Sequence, residues 1–235
     1  MDTRVVLFDL DGTLLPMDQD EFVKCYLKLL AAHMEPFGYA SDKLIDSIWK
    51  GTAAMIMNDG SCTNEDIFWK TFSTIHGADS LEDKPFVDGF YTDVFSAART
   101  ACGYTPAAKE VIEQLKAAGK IIVLATNPIF PAVATRKRIA WAGLSPEDFL
   151  LYTTYENCSF SKPNLNYYAQ ILKQIGAKPE ECLMVGNDVG DDMVAEGLGM
   201  RVFLLTDCLI NKNNEDISRF PHGDFEALKA YLGTI

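Results

Sequence analysis

The 235-residue chain has little positive charge and lacks the signatures of several common protein classes. It carries 21 Lys and Arg against 33 Asp and Glu, a formal net charge of −12, and it has no basic stripe of the kind that a nucleic-acid binder needs. No GxxxxGK phosphate loop occurs, which argues against a P-loop ATPase. Acids interrupt the first apolar run within ten residues, so we expect neither a signal peptide nor a membrane span. The sequence predicts a cytoplasmic protein that binds neither nucleic acid nor membrane, and it leaves the oligomeric state open.

Metal-binding and disulfide patterns are also missing. The six cysteines form no CxxC pair, and none lies near a histidine at zinc spacing. A chain of this length folds without disulfides, so we predict reduced, mostly buried thiols. The cysteines are Cys25, Cys62, Cys102, Cys158, Cys182 and Cys208. The three histidines have no metal spacing either, and we predict that they are structural. They are His33, His76 and His222.

Short apolar runs rich in Val, Ile and Leu alternate with helical patterns over much of the chain. The runs cover residues 4–10, 121–126, 183–186 and 201–205. Uninterrupted apolar runs are typical of strands that are covered on both faces. Thr105 and Pro106 begin one helical pattern that Gly119 ends, and residues 164–175 form another that Gly176 ends. This alternation predicts an α/β fold with a Rossmann-like, mostly parallel sheet flanked by helices.

Residues 16–103 have a different texture, because they show helical stripes with no strand-like run between them. Thr63, with Asp66 three residues later, has the pattern of a capping box. We therefore predict an all-helical module in residues 16–103, inserted after the first strand. Residues 1–15 and 104–235 are predicted to form the α/β core domain. Trp49, Trp69 and the Phe-rich segment 86–95 are predicted to form the core of the helical module.

The strongest chemical signal is VVLFDLDGT, residues 5–13. Side chains two apart on a strand point the same way, so Asp9 and Asp11 can face one pocket at the carboxyl end of the strand. Ligands of open α/β sheets bind at this end. Two crowded carboxylates repel each other and lose hydration unless a cation lies between them. The pair therefore indicates a metal-assisted site rather than an ordinary turn.

Polar groups also follow the later runs. Thr126 and Asn127 end the second run and can donate to phosphate oxygens, although Thr-Asn-Pro is also good turn chemistry. Lys162 precedes a predicted helix and would be the positive partner of the acids. The third run ends in Gly186 and is followed by three acids, one of which the dipole of a helix amino terminus would explain. These acids are Asp188, Asp191 and Asp192. Oxygen ligands of this kind suit Mg²⁺.

In this order the motifs resemble those of the haloacid dehalogenase (HAD) superfamily. DLDGT at 9–13 is similar to its first motif, Thr126 to its second, Lys162 to its third and GNDVGDD at 186–192 to its acidic fourth. The helical module lies where the family's helical (C1-type) cap belongs. The resemblance implies that Asp9 is the nucleophile and a metal ligand, and that Asp11 is the general acid/base and a ligand of the same metal. Thr126, Asn127 and Lys162 would then bind the phosphoryl group.

The fourth motif departs from the family pattern, because Asn187 stands where many relatives have Asp. We assign the remaining Mg²⁺ contact to Asp188, with Asp192 as the alternative. The function predicted is a Mg²⁺-dependent phosphohydrolase that acts on a small phosphorylated metabolite through an aspartyl-phosphate. Asp11 favours phosphoryl transfer over halide displacement, because a departing halide needs no proton.

Three other functions were compared with the phosphohydrolase: the first stays open, and the sequence argues against the other two. A phosphomutase shares the motifs. A non-catalytic regulatory protein would be expected to lose Asp9, Asp11 or Lys162. A response-regulator receiver is much shorter and has no helical insertion. The module at 16–103 would select the substrate, and Lys50, Lys70 and Arg99 are candidates there on charge alone.

Overall fold

A computed structural model describes residues 3–235, and Met1 and Asp2 of the predicted segment 1–15 lie outside the described residues. The described chain forms a six-stranded sheet in which all paired strands are parallel, in the order β3-β2-β1-β4-β5-β6. The strands are β1 Val5–Phe8, β2 Ile121–Leu124, β3 Leu151–Tyr152, β4 Cys182–Gly186, β5 Arg201–Leu205 and β6 His222–Gly223. The predicted Rossmann-like α/β fold is confirmed.

Two of these strands were missing from the sequence prediction. β3 and β6 have two residues each, and β3 and β6 are the outermost strands of the sheet. A strand of two residues is too short to form an apolar run, so a search for such runs finds only the four inner strands. The first strand is also shorter than predicted, because Asp9 and Leu10 already belong to the loop that follows it.

Helices cover the sheet between its strands. In the core part of the chain they are α5 Pro106–Ala117, α6 Ala132–Trp141, α7 Leu165–Ile175 and α8 Phe225–Leu232. The predicted ends of two helices are confirmed. The Thr105 hydroxyl caps α5 at the amide of Ala107, and Gly176 ends α7 in the left-handed conformation.

The segment between β1 and β2 is helical, as its periodicity predicts. Its α-helices are α1 Gln19–Met34, α2 Ser41–Ile56, α3 Asn64–His76 and α4 Lys84–Gly89, followed by π- and 3-10-helical turns as far as Ala101. The capping box of Thr63 and Asp66 is present at the start of α3. One hydrophobic cluster runs from sheet residues such as Phe8 to helical residues such as Phe72. The division into a core domain and a cap domain at 15/16 and 103/104 stays a prediction.

The predicted core of the helical segment is partly wrong. Trp69, Phe90 and Phe95 are buried as expected, but Trp49 is 51% exposed and Phe86 is 40% exposed. Trp49 lies beside the exposed Lys50 on the outer face of α2. Phe86 stacks on the equally exposed Phe37, with ring centroids 4.1 Å apart. Aromatic character alone therefore did not separate the inner face from the outer one.

Asn64, the first residue of α3, joins the helical segment to the loops of the sheet. Its side-chain amide donates to the Pro128 carbonyl at 3.1 Å and to Ser161 Oγ at 3.0 Å. Its backbone amide donates to the Cys158 carbonyl at 2.8 Å, and its Oδ1 accepts from Asn58 at 2.9 Å. Asn64 is fully buried. This contact fixes α3 against the segments that follow β2 and precede Lys162.

The cysteines and histidines have structural surroundings. All six cysteines are free, but only Cys158 and Cys182 are buried, so the expectation of mostly buried thiols is too strong. Each histidine ring is hydrogen-bonded to a protein oxygen. Within residues 3–235, none of the helices combines the length and the apolar character that crossing a bilayer requires.

Candidate active site

The cleft of interest lies at the carboxyl ends of the central strands. β1 pairs with β2 on one side and with β4 on the other, so that Phe8 is level with Leu124 and Val185. The loops after these strands therefore leave the sheet at one edge and on both sides of β1, which is where open α/β sheets bind ligands. The sequence-predicted site residues all line one cleft at this edge: Asp9, Asp11, Thr126, Asn127, Lys162, Asp188 and Asp192.

Asp9 directly follows β1 and is held by two neighbours. Its Oδ1 accepts from Lys162 Nζ at 2.8 Å. Its Oδ2 lies 3.2 Å from the Thr13 hydroxyl, which also lies 3.0 Å from Asn187 Oδ1. A hydroxyl has one proton, so Thr13 serves one of these acceptors at a time. Asp9 is 7% exposed, and this small surface faces the cleft.

Lys162 lies between two carboxylates in the floor of the cleft. Besides Asp9, its Nζ donates to Asp192 Oδ1 at 2.6 Å, and Lys162 and Asp192 are both almost fully buried. Burial opposes the charge of the amine, but the attraction of Asp192 and Asp9 outweighs it and raises the pKa of Lys162 well above its ordinary value. Lys162 therefore stays protonated and presents a fixed positive charge next to Asp9.

The Asp192 carboxylate packs directly on the backbone of Gly186 at the end of β4, which is possible because glycine has no side chain. A Cβ on Gly186 would collide with the Asp192 carboxylate. Asp192 Oδ2 accepts from the backbone amide of Asp188 at 3.0 Å, so both oxygens of Asp192 are occupied by protein donors. This arrangement makes Asp192 the partner of Lys162 rather than a free ligand.

Asn187 and Asp188 approach from the loop after β4. Asn187 packs over Gly12, whose φ of 87° is a left-handed conformation that favours glycine. A Cβ on Gly12 would also collide with the Asn187 amide. Asp188 Oδ1 accepts from the amides of Gly190 and Asp191, at 2.7 Å and 3.1 Å. This turn uses one oxygen of Asp188 and does not use the other.

Thr126 and Asn127 lie at the end of β2. The Thr126 carbonyl accepts from the hydroxyls of Thr153 and Tyr167 at 2.6 Å and 2.8 Å, which fixes the backbone beside the cleft. Asn127 Oδ1 accepts from the backbone amide of Lys162 at 3.3 Å. The loops after β2 and before α7 are thus linked to each other next to Asp9.

Asp11 is paired with Arg138, a residue that the sequence reasoning missed. Arg138 Nη1 donates to Asp11 Oδ2, and the Arg138 side chain is fully buried, with its guanidinium 4.5 Å from the ring centroid of Phe130. Asp11 Oδ1 is buried and, within the described chain, accepts no hydrogen bond. Burial raises the pKa of Asp11, while the Arg138 charge acts in the opposite direction and Asp9 adds to the rise.

The signal for Arg138 was its position in α6. Ala134, Thr135 and Ile139 of this helix are buried, and Arg138 falls on the same face by helical spacing. A charged residue on an inward face needs a partner of opposite charge. The spacing therefore marked Arg138 as paired, but it did not identify Asp11 as the partner.

We expect Arg138→Met to destabilise the fold strongly. The change leaves Asp11 without its cation, and removal of one partner from a buried ion pair costs about 3–5 kcal/mol in the free energy of unfolding. Urea denaturation measures this loss, and the double variant Arg138→Met/Asp11→Asn should recover part of it because the lone carboxylate is then neutral. A single variant within about 0.5 kcal/mol of the parent would contradict the importance of the pair.

The cleft has the charge that a hard divalent cation requires. Five carboxylates line it against one lining cation, Lys162. The Asp188 oxygen that its turn does not use adds to the donor set. No group of three or more His, Cys, Asp or Glu side chains within residues 3–235 is gathered as a ready metal cage. Mg²⁺ normally uses one or two carboxylates, with waters and substrate phosphate as its other ligands, so the oxygen-rich lining fits Mg²⁺ without such a cage.

The positively charged residues considered for substrate selection are not in this cleft. Lys50, Lys70 and Arg99 are all exposed on the helical segment, and they are absent from the cleft lining. Charge alone was therefore a poor guide to the residues that line the cleft.

Comparison with known proteins agrees with the motifs. A protein-family model described as haloacid dehalogenase-like hydrolase matches residues 3–199. Among curated proteins, glyceraldehyde 3-phosphate phosphatase from Methanothermobacter thermautotrophicus is 30% identical over 67 residues, which are 28% of this chain and 30% of that protein. The matched stretch thus spans less than a third of the length of that relative.

Solved structures share the fold over almost their whole length. A 2-haloacid dehalogenase from Pseudomonas syringae pv. Tomato matches with a TM-score of 0.65 at 19% identity. The match covers 100% of this chain and 99% of the dehalogenase chain. An HAD phosphatase from Thermococcus onnurineus has a TM-score of 0.58 at 19% identity, covering 99% and 98%. An HAD hydrolase from Bacillus subtilis, bound to magnesium, has a TM-score of 0.57 at 19% identity, covering 99% of both chains. At such identities the likeness extends to the fold alone.

Proposed function

The chain belongs to the haloacid dehalogenase-like hydrolase family, and from this premise we propose that it is a Mg²⁺-dependent phosphatase of small phosphomonoesters. The observation that carries the proposal is the meeting of Asp9, Asp11 and Lys162 in one cleft at the ends of the central strands. A phosphorylated metabolite of the cytoplasm is the substrate class that fits this chemistry.

Asp9 is proposed as the nucleophile. A carboxylate is ionised at neutral pH, so it attacks without a base. Its oxygen forms a bond to phosphorus while the bond from phosphorus to the leaving-group oxygen breaks, which gives an aspartyl-phosphate. Lys162, fixed at 2.8 Å from Asp9, would offset the charge of the incoming phosphoryl oxygens, and Thr126 and Asn127 would contact them from the end of β2. Bound Mg²⁺, held by the side chains of Asp9 and Asp188 and the backbone carbonyl of Asp11, would supply further neutralisation of the phosphate charge.

Asp11 is proposed as the general acid and base. Arg138 occupies Oδ2, which leaves Oδ1 to carry the proton. Burial raises the pKa of Asp11, which moves it toward the range in which a carboxyl group can donate a proton. Asp11 would protonate the departing alkoxide and then accept a proton from the water that attacks the aspartyl-phosphate. Phosphate leaves, and both aspartates return to their starting states.

Asp11 also separates phosphate transfer from dehalogenation. The similar fold of a haloacid dehalogenase does not decide the reaction, because one fold supports several chemistries. A halide leaves without a proton, whereas an alkoxide needs one. The presence of Asp11 in the cleft therefore favours the phosphatase.

The test is phosphate release from a panel of phosphomonoesters. We expect turnover with Mg²⁺ and a loss of at least about 100-fold after EDTA treatment, reversed by added Mg²⁺, because metal stabilisation of phosphoryl transfer is worth several kcal/mol. Analysis of the products with sugar phosphates separates the phosphatase from a phosphomutase, which would return an isomer instead of free phosphate. No release from any ester, with or without Mg²⁺, would reject the proposal in favour of a regulatory protein.

A further inference from the structure

The cleft has a second wall whose character differs from that of the phosphate side. Besides the polar residues, the cleft is lined by Met17, Gln19, Phe22, Val23, Ile129 and Phe130. None of these six side chains is ionisable, and Gln19 is the one polar member. The Gln19 side-chain amide donates to the Asp11 carbonyl at 3.3 Å, which puts it next to the proposed acid. With the phosphoryl group on Lys162, this wall would face the rest of the substrate.

Two lysines of the helical segment form ion pairs away from the cleft. Lys24 pairs with Glu21, and Lys50 pairs with Asp46, in both cases with more than half of the side chain exposed. Arg138 is committed to Asp11 and is absent from the lining of the cleft. The Arg138 guanidinium lies 4.5 Å from the ring centroid of Phe130, but its charge is already paired with Asp11. Within the described chain, the residues of this wall include no cation for a second anionic group on the substrate.

The nearest outer groove has one cation and more acids. It adjoins the cleft at Met17 and Gln19, and it is lined by Lys212 together with Asp18 and Asp20. Two carboxylates outnumber the single exposed amine. A carboxylated leaving group would gain little from this groove, and it would meet the acids of the cleft lining on its way in.

A second cavity continues the apolar wall behind Ile129 and Phe130. It shares these two residues with the cleft, and it has no charged lining residue. Its polar members are neutral: Tyr26, Thr52, Trp69, Tyr91 and Tyr155. The hydroxyls of Tyr26 and Tyr91 are bonded to each other at 2.9 Å. Apolar lining with a few neutral polar groups selects uncharged ligand surface.

From these surfaces we infer that the substrate is a phosphomonoester whose leaving group is uncharged and largely apolar or aromatic. The inference rests on the proposed phosphatase function and adds the class of alcohol that is released. A leaving group with a carboxylate or a second phosphate would be buried against Phe22 and Phe130 without a counter-charge, which is unfavourable. An aromatic ring would instead pack on these side chains.

Matched pairs of esters test the inference. The first pair is 2-hydroxyethyl phosphate and phosphoglycolate, which are similar in size and differ by one carboxylate. The second pair is phenyl phosphate and 4-carboxyphenyl phosphate. We expect kcat/KM for the neutral member to exceed that of the carboxylated member at least about 30-fold in both pairs, and phenyl phosphate to exceed 2-hydroxyethyl phosphate.

Variants test whether the apolar wall causes the preference for neutral esters. Val23→Lys places a cation on the wall and should raise kcat/KM for both carboxylated esters about 10-fold relative to their neutral partners, whereas the matched apolar control Val23→Met should leave the ratio unchanged. Lys212→Gln should also leave it unchanged.

The outcomes separate the two proposals. Equal or better turnover of the carboxylated esters overturns the inference and leaves the phosphatase function intact, and so does a ratio that depends on Lys212. Failure to cleave any of the four esters while other phosphomonoesters of the panel are cleaved overturns the inference alone, and failure with the whole panel overturns both proposals.

Discussion

Asp9→Asn is expected to reduce phosphate release by at least about 10⁴-fold while the protein stays folded. An amide is a poor nucleophile, and loss of the attacking group removes the covalent step on which the remaining residues act. The substitution keeps the size of the side chain, and Asn Oδ1 can still accept from Lys162. Steady-state turnover with saturating Mg²⁺ measures the loss, and circular dichroism with urea denaturation measures the fold.

Two controls sharpen this result. Asp42→Asn makes the same chemical change at an exposed position on α2 and should leave turnover unchanged. In the parent enzyme, borohydride added during turnover should reduce the acyl phosphate and convert Asp9 to homoserine, which peptide mass analysis detects. Turnover above about a hundredth of the parent rate in Asp9→Asn, or a trapped label on another residue, would refute Asp9 as the nucleophile.

Lys162→Met is expected to lower both stability and activity. The amine lies 2.8 Å from Asp9 and 2.6 Å from Asp192 in a buried position. Without it, two buried carboxylates face each other, and loss of one partner from such a cluster costs about 3–5 kcal/mol in the free energy of unfolding. The transferred phosphoryl group also loses a charged donor, which is worth about 10²- to 10³-fold in kcat.

The matched control for this change is Lys50→Met. Lys50 also pairs with an aspartate, Asp46, but its side chain is 59% exposed, so its loss should cost no more than about 0.5–1 kcal/mol. The double variant Lys162→Met/Asp192→Asn should recover part of the stability and none of the activity. Equal urea midpoints for the Lys162 and Lys50 variants would show that the ion pairs of Lys162 do not stabilise the buried cluster.

Residue types and spacing predicted much of the site because a parallel sheet brings strand ends together. Asp9, Thr126 and Asp188 are far apart in sequence, yet each closely follows an apolar run, and neighbouring parallel strands end at one edge. Lys162 was harder to place by pattern, since it follows no strand. It was predicted as the positive partner of the acids, but a Lys beside a proline is normally exposed, and the pattern did not identify its burial between Asp9 and Asp192.

Other features depended on three-dimensional contacts that local patterns do not specify. Arg138 lies 127 residues from Asp11, and helical spacing gives its direction but not the residue that it meets. Trp49 and Phe86 were predicted to be buried on residue type, but the faces of α2 and α4 decide exposure. β3 and β6 are defined by pairing with one neighbour each, so their two-residue sequences hold too little information.

The hydrogen bonds of Asn64 to the loops of the sheet limit how freely the helical segment can be replaced by another sequence. A graft that replaced residues 16–103 with an unrelated bundle would remove the donors that serve the carbonyls of Pro128 and Cys158. Buried acceptors without donors are costly, and these two belong to the segments beside Asn127 and Lys162. A chimera made for new selectivity would therefore have to keep Asn64 and the residues around it.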